Sequence, residues 1–274
     1  MSKINSCDVS DKFWSKVEPL IPALEVRNTE KSYTRKAGGG RKPLSPRKIF
    51  SGIIYVLRTG CQWKALNKEI FGSASSIHKY FRIWLKAGFF EALWAAGLAE
   101  YDELEGIAWA WQSINGSIVK APLALEAVGP NPTDRGKNGT KRHLLVDANG
   151  IPLSIVVTGA HRHDVSQLEK TINSVMVESP NNIQQFLYAD KGYDGEPATD
   201  VIFDSGYFPR VIRKKKQTTS CFKNRRWIVE VVHSWYNRFR KLLVRYEKYE
   251  SSYLALLHLA SAIICWRKIG FIYG

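Results

Sequence analysis

The sequence predicts a mixed α/β domain preceded by an all-helical region, and three observations predict it. Up to residue 106, apolar residues recur at helical spacing. Beyond Ile107 the pattern changes to short β-branched or apolar runs, two of them joined by the turn signal Asp147-Ala148-Asn149-Gly150. Helical stretches then alternate with a further run and end in a long basic helix, which is the element order of a mixed α/β fold. The chain accordingly divides into residues 1–106 and 107–274.

In the first part, Ser10-Asp11 reads as a helix cap before FWSKVEPLI, which Pro22 follows. A basic, flexible loop spans 25–44, with Gly38-Gly39-Gly40 inside it. Ser45-Pro46 opens a second helix through Ile49, Ile53, Ile54 and Leu57, ending near Gly60. Ser73–Lys86 is a third helix, stopped by Gly88, and Phe90–Leu98 a fourth. Short helices joined by tight Gly-containing turns fit a helix-turn-helix, whose recognition helix would carry Ser73, Ser75, Ser76, His78, Lys79 and Arg82. Spacing alone leaves an ordinary helical bundle equally open.

In the second part, strands are expected at Gln112–Lys120, His143–Val146, Leu153–Thr158 and Gln185–Ala189, the middle two as a hairpin. Asp164–Val177 and Gly195–Ser205 read as helices flanking the fourth strand. A long helix from about Asn224 to Val244 carries Val229, Val232, Tyr236, Phe239 and Leu243 on one face. Tyr253–Arg267 closes the chain as a mostly buried helix.

The formal net charge is +15, and it is concentrated. Thirteen Lys and Arg stand against two acids between Ser205 and Lys248, and eight against Glu30 alone between Arg27 and Lys48. With aromatics interleaved, such clusters are the electrostatic footprint of nucleic-acid binding. Other classes fall away. The four cysteines lie too far apart for a C-x-x-C motif, as expected of a reducing compartment. The N-terminus shows no apolar signal-peptide region, and the longest apolar run, Leu254–Trp266, is too short to span a bilayer.

Which acids occur in the basic half is the informative observation. Asp190 ends the fourth expected strand, in FLYADKGYDG, at the mouth of a parallel sheet where α/β ligand sites form. Glu230 is almost alone on the long helix, where Arg226, Glu230, His233 and Asn237 form a polar stripe. Carboxylates beside DNA-binding charge suit two-metal phosphoryl transfer, in which two divalent ions clamp the attacking and leaving oxygens. Such a site wants a further carboxylate on the domain's first strand.

The chain resembles a bacterial insertion-sequence transposase of the DDE type, in the family named after insertion sequence five. VSDKFWSKVEPLIP, GRKPLSPRKIFSGIIYVLRTGCQWKAL and SSIHKYFRIWLKAG are similar to that family's N-terminal DNA-binding region. NGSIVKAPLALEAVGPNPTDRGKNGTKRHLLVD, TGAHRHD, YADKGYD and RRWIVEVVHSWYNRFRKLLVRYEK resemble its catalytic core. The resemblance implies an RNase H-like core and a catalytic, metal-binding triad at Asn115, Asp190 and Glu230, served by Mg²⁺ or Mn²⁺ with two ions per site. It implies double-stranded DNA as partner, both terminal inverted repeats and target, and a homo-oligomer, a dimer bridging two ends. Its setting would be the bacterial cytoplasm, with the nucleoid. The DNA contacts assigned are Arg35, Lys36, Arg41 and Lys42 in the loop, Ser75, Ser76, His78, Lys79 and Arg82 on the third helix, and Arg213, Lys214, Lys215, Lys216, Arg226, Arg238 and Lys241 beyond.

One position departs. Where the family has Asp-Gly on the first strand, this chain has Asn115-Gly116. The amide keeps shape and one carbonyl oxygen but loses the charge that binds metal, so catalysis is expected to be impaired. The alternative is a catalytically silent DNA-binding protein of transposase descent. The family's Tyr-x2-Arg-x3-Glu-x6-Lys signature is met at Arg226 and Glu230, while Lys223 and Asn237 hold its outer positions. His161, His163 and Asp164 resemble a metal cluster but match a family stretch outside the triad. Asp134 and Asp147 belong to turns, and the Trp residues at 63, 84, 94, 109 and 111 to the core.

Overall fold

The computed structural model describes residues 9–23, 43–180, 182–211 and 220–272, with the side chains of 220–224 excepted. The assigned DNA contacts Arg35, Lys36, Arg41, Lys42, Arg213, Lys214, Lys215 and Lys216 lie outside the described residues, as does the Gly38-Gly39-Gly40 run.

The helical region starts where the caps predict. Ser10 caps α1 (Asp11–Val17), its Oγ accepting the Phe13 N–H at 3.2 Å. Ser45 caps α2 (Pro46–Thr59), with Pro46 where the missing N–H costs nothing. α2 ends at Gly60, whose φ of 71° makes a left-handed stop. A short α3 (Lys68–Phe71) leads through Gly72 into α4 (Ala74–Lys86), and α5 (Phe89–Leu104) follows. Their buried faces are rich in aromatics: Phe50, Phe81, Trp84, Phe89, Phe90 and Trp94 are all nearly inaccessible.

The second half is a mixed sheet flanked by helices. β1 (Trp111–Lys120) pairs antiparallel with β3 (Asn138–Asp147), which pairs antiparallel with β4 (Pro152–Gly159) through the expected hairpin. On its other side β1 runs parallel to β5 (Gln185–Ala189), and β5 parallel to β6 (Tyr207–Val211). A two-residue β2 (Gly129–Pro130) joins β3. Helices α6 (Leu168–Asn173), α7 (Glu196–Asp204), α8 (Ser220–Asn237) and α9 (Glu250–Lys268) complete the chain. Among the described residues no helix is long and apolar enough to cross a membrane.

Three departures from the expected elements stand out. The long helix stops at Asn237 rather than Val244: Arg238 and Phe239 donate to carbonyls three residues back, and a 3₁₀ turn follows at Arg240–Leu242. Phe239 is buried there while Leu243, 46% exposed, leaves the expected apolar face. β6 is a strand that the sequence reading did not assign; Pro209 lies in its middle, and at a sheet edge the lost donor is tolerated. The helix expected at Asp164–Val177 shrinks to a 3₁₀ turn and the six residues of α6.

One apolar core runs through both halves. α9 packs along α5, where Gly97 admits Trp266: a Cβ on Gly97 would stand 2.8 Å from the indole Nε1. Trp94 of α5 donates to the Pro152 carbonyl of β4 at 3.2 Å. Of the five Trp assigned to the core, Trp84, Trp94 and Trp109 are buried, and Trp63 and Trp111 half-buried.

Candidate active site

Strand alternation and register place the first site residue. Side chains on a strand point alternately to its two faces, so Ser113, Asn115 and Ser117 share one face of β1. That face meets α8, because Ser113 Oγ donates to the Arg226 carbonyl at 3.2 Å. Ser113 is paired with Tyr188 in the parallel β1/β5 ladder. Asn115 and Asp190 each lie two residues further on, at the same end of the two strands. Asp190 opens the turn after β5, its Oδ1 accepting the Gly192 N–H at 2.8 Å.

α8 brings the third. Arg226 and Glu230 form an i,i+4 ion pair that keeps Glu230 partly exposed. One turn on, the buried His233 places Nε2 3.4 Å from the Asn115 backbone carbonyl. Burial, reinforced by Arg142, drives His233 down to about 3, so the ring is neutral and its N–H donates to that carbonyl. A further turn on, Asn237 Oδ1 accepts from Arg142 at 3.1 Å. Within the polar stripe read from the sequence, His233 and Asn237 thus bond to β1 and β3, while Arg226 and Glu230 pair with each other.

Behind Asn115 lies a second set of charges. A Cβ on Gly116 would stand 2.1 Å from Asp164 Oδ1, so a glycine is required there. Burial pushes the Asp164 carboxyl up, but His143 and Lys141 outweigh it and hold the group below its usual range. Lys141 Nζ and His143 Nδ1 both stand 3.3 Å from Asp164 Oδ1. Asp164 therefore pairs internally, and His161 and His163 do not join it in a ligand cluster. Among the described residues no three His, Cys, Asp or Glu side chains are grouped to hold a metal. Sequence reasoning missed Lys141 and His143, which come from mid-strand positions without any local motif. Asp147 is structural too: its carboxylate accepts three backbone N–H groups, from Ala108, Asn149 and Ile151.

The donors at the site define what it can bind. Asn115 Oδ1 accepts the Gly116 N–H at 2.8 Å, Asp190 Oδ1 accepts the Gly192 N–H at 2.8 Å, and Glu230 Oε1 pairs with Arg226. Two carboxylates with waters suit a single hard ion such as Mg²⁺. A clamp of two ions calls for the third carboxylate that Asn115 lacks.

Against this geometry, the family described as "Transposase DDE domain" matches residues 114–265, more than half the chain. The chain belongs to the DDE transposases of insertion sequences. A second family, described as "Putative transposase of IS4/5 family", matches residues 9–94. A putative transposase for insertion sequence element IS402 from Burkholderia cepacia is 36% identical over 146 residues, covering 52% of this chain and 69% of that protein. An uncharacterized 16.2 kDa protein of the IS402 element, also from Burkholderia cepacia, is 30% identical over 125 residues, 45% of this chain and 80% of that protein. No solved structure matches. As a DDE transposase, the chain has the mixed, helix-flanked sheet of an RNase H-like core.

The transposase's helical region presents a different surface. Ser75, His78, Lys79, Arg82, Ile83 and Lys86 line an open groove of about 310 Å³ along α4. The His78 ring leans on Trp63 at 5.0 Å, and burial, then Arg82, holds its pKa below the usual value. Ser76 is half-buried beside the groove. In the catalytic half, Arg238 is exposed, whereas Lys241 is buried and bonded to Glu247 at 3.0 Å. The Lys241 charge is used inside the fold rather than offered to solvent.

Proposed function

We propose that this transposase binds the terminal inverted repeats of its own element and that its DNA cleavage and strand-transfer chemistry is impaired by Asn115. The observation that supports the site is the register of β1 and β5, which sets Asn115 level with Asp190 under the α8 face that carries Glu230. Asn115, Asp190 and Glu230 would hold divalent metal, Mg²⁺ or Mn²⁺, with the two-ion arrangement requiring Asp at 115. When bound, the metal supplies charge stabilisation for phosphoryl transfer and activates the attacking oxygen. Arg226 steadies the Glu230 carboxylate and offers positive charge to a phosphate. α4 would read the end sequence in the major groove, with residues 1–106 as the DNA-binding unit and 107–274 as the catalytic one. Two ends must be held for cutting and joining, so the working form would be a dimer bridging them, within the nucleoid.

A second reading, a transposase-derived protein that occupies element ends without cutting, has its own support. All three site side chains already have internal partners: Asn115 with the Gly116 N–H, Asp190 with the Gly192 N–H, and Glu230 with Arg226. A strand-cleavage assay on an end-containing duplex, with this chain and with Asn115→Asp, separates the two. Cleavage by the variant in Mg²⁺ or Mn²⁺ supports an impaired enzyme, and none by either protein supports the silent binder. Light scattering with saturating end DNA tests the dimer, which a strict one-to-one complex would rule out.

A further inference from the structure

The first half of α8 is pinned to the sheet by a residue outside the polar stripe. Arg225 Nη1 donates to the Tyr188 hydroxyl at 2.6 Å. Its guanidinium carbon also stands 5.3 Å from the Trp111 ring centroid and 5.4 Å from that of Tyr188. The two rings pack edge to face, with their centroids 5.6 Å apart. Trp111 opens β1 and Tyr188 lies within β5, so one side chain of α8 engages both parallel strands. A guanidinium suits this task, because it stacks on aromatic faces and still has in-plane donors for a hydroxyl.

Position gives the contact its consequence. Tyr188 stands two residues before Asp190, and Trp111 four before Asn115. On α8, Arg225 precedes Glu230 by five residues, about 7.5 Å along the axis at 1.5 Å per residue. The hydrogen bond and ion pair of Glu230 go to Arg226 on its own helix. How far its carboxylate stands from Asp190 and Asn115 therefore depends on how α8 is docked. Beyond Glu230 the helix is tied to β1 by His233 and to β3 by Asn237. Before it, the Arg226 carbonyl accepts from Ser113 of β1, and Arg225 reaches across to β5. β5 is the strand that leads into Asp190.

We propose that Arg225 is a positioning residue for the metal site: by clamping Trp111 and Tyr188 it sets the spacing between the Glu230 and Asp190 carboxylates. This rests on the reading of Asn115, Asp190 and Glu230 as the metal site. Arg225 acts through the helix and touches no reacting atom. Its charge is used on the two rings and the hydroxyl, which sets it apart from the basic residues assigned to DNA. Of the two links from this part of α8 to the sheet, the Ser113 bond at 3.2 Å fixes the helix to β1. The Arg225 clamp fixes it to β5 as well, and so to the second carboxylate.

The test takes as parent the full chain carrying Asn115→Asp, which supplies the third carboxylate. Mn²⁺ affinity is read from the paramagnetic resonance of the free ion, well below the unfolding midpoint, and DNA binding from anisotropy over a salt series. Adding Arg225→Met is expected to weaken Mn²⁺ binding roughly tenfold, as the loss of a residue that orients a metal ligand does. Tyr188→Phe, which removes only the hydroxyl, should weaken it about threefold, one hydrogen bond's worth. Arg225→Lys, which keeps a cation over the rings, should recover part of the loss. The salt slope of DNA binding should stay that of the parent in all three. Parent-like Mn²⁺ affinity in both Arg225→Met and Tyr188→Phe would overturn the proposal, even if their unfolding midpoints fall, and would leave the contact purely structural. A salt slope flattened by Arg225→Met, with Mn²⁺ affinity unchanged, would overturn it in favour of a phosphate contact. If the Asn115→Asp parent itself binds no Mn²⁺, the metal-site reading fails first and takes the proposal with it. Should Arg225→Met fail to fold, Tyr188→Phe decides by the same criterion.

Discussion

On α4, His78, Lys79, Arg82 and Lys86 recur at helical spacing and face an open groove; on α8, Arg226, Glu230, His233 and Asn237 recur at nearly the same spacing, with His233 and Asn237 bonded to the sheet and Arg226 paired with Glu230. Among the described residues no ion pair engages Lys79, Arg82 or Lys86, whereas every member of the α8 stripe has a named partner. Periodicity identifies a polar stripe but says nothing of which way it turns. Partners decide that. A stripe without internal partners is available to a ligand, and one with partners holds its members in place, here Glu230 through Arg226.

The largest expected effect breaks or confirms the role of α8. Asn115→Asp should raise metal-dependent cleavage of an end-containing duplex by roughly a hundredfold or more, because a metal carboxylate is worth several kcal/mol. DNA affinity should stay within about twofold, since phosphate contacts set most of it. Cleavage no better than the parent's in both Mg²⁺ and Mn²⁺ would mean that Asn115 does not stand in the first triad position. Next in size is Lys241→Met. Removing one member of a buried pair leaves Glu247 uncompensated, so stability in urea should fall by about 3–5 kcal/mol. The salt slope of DNA binding should not change, in contrast to Lys79. A flatter slope would show that Lys241 reaches DNA after all.

Lys241 also shows where sequence reading stopped. Read as one helix to Val244, the segment puts Lys241 and Glu247 in unrelated places, and six residues apart on a helix they would face different sides. Only the turn after Asn237 brings them together, and the apolar spacing that continues through Phe239 concealed that turn. The elements with strong local signals were legible: the caps at Ser10 and Ser45, the Asn149-Gly150 hairpin, and the bounds of β5. β6 was not, because Pro209 argues against a strand unless the strand is known to be an edge. Of the site, Asp190 and Glu230 stood out as acids in a basic field. Asn115 was legible only through the resemblance, since an amide in mid-strand has no spacing of its own. Asp164 was visible as a residue but not as the ion partner of Lys141 and His143, which both come from the separate strand β3.

Histidines sharpen the contrast between buried and open faces through pH. Burial, then Arg142, lowers His233 to about 3, and burial lowers His258 to about 4. In the unfolded chain both titrate near 6.5, so between about pH 6.5 and pH 4 the unfolded state binds protons that the fold excludes. Stability is then full above about pH 6.5 and falls as pH drops, by up to about 1.4 kcal/mol per pH unit for each ring, or about 2 kcal/mol each by pH 5. Urea midpoints at pH 7, 6 and 5 measure this. His233→Gln should remove a larger part of the slope than His78→Gln, whose ring lies at the groove. Equal slopes in the two variants would place His233 in contact with solvent and undo the account of α8 as an inward-facing stripe.

The smallest expected effect concerns α4 itself. If the groove reads bases, Lys79→Ala and Arg82→Ala together should weaken binding to the element's own ends by about tenfold, within the 1–3 kcal/mol of a lost base contact. Binding to a random duplex should weaken less, about threefold, because only the phosphate share of those side chains is lost there. The contrast depends on their being exposed and, among the described residues, in no ion pair, as Lys241 is not, so little of the effect should appear as lost stability. Competition of labelled end DNA by unlabelled end and random duplexes, at one fixed salt concentration, gives both affinities in a single experiment. An equal loss on the two duplexes would mean that α4 touches only backbone. The end sequence would then have to be read elsewhere.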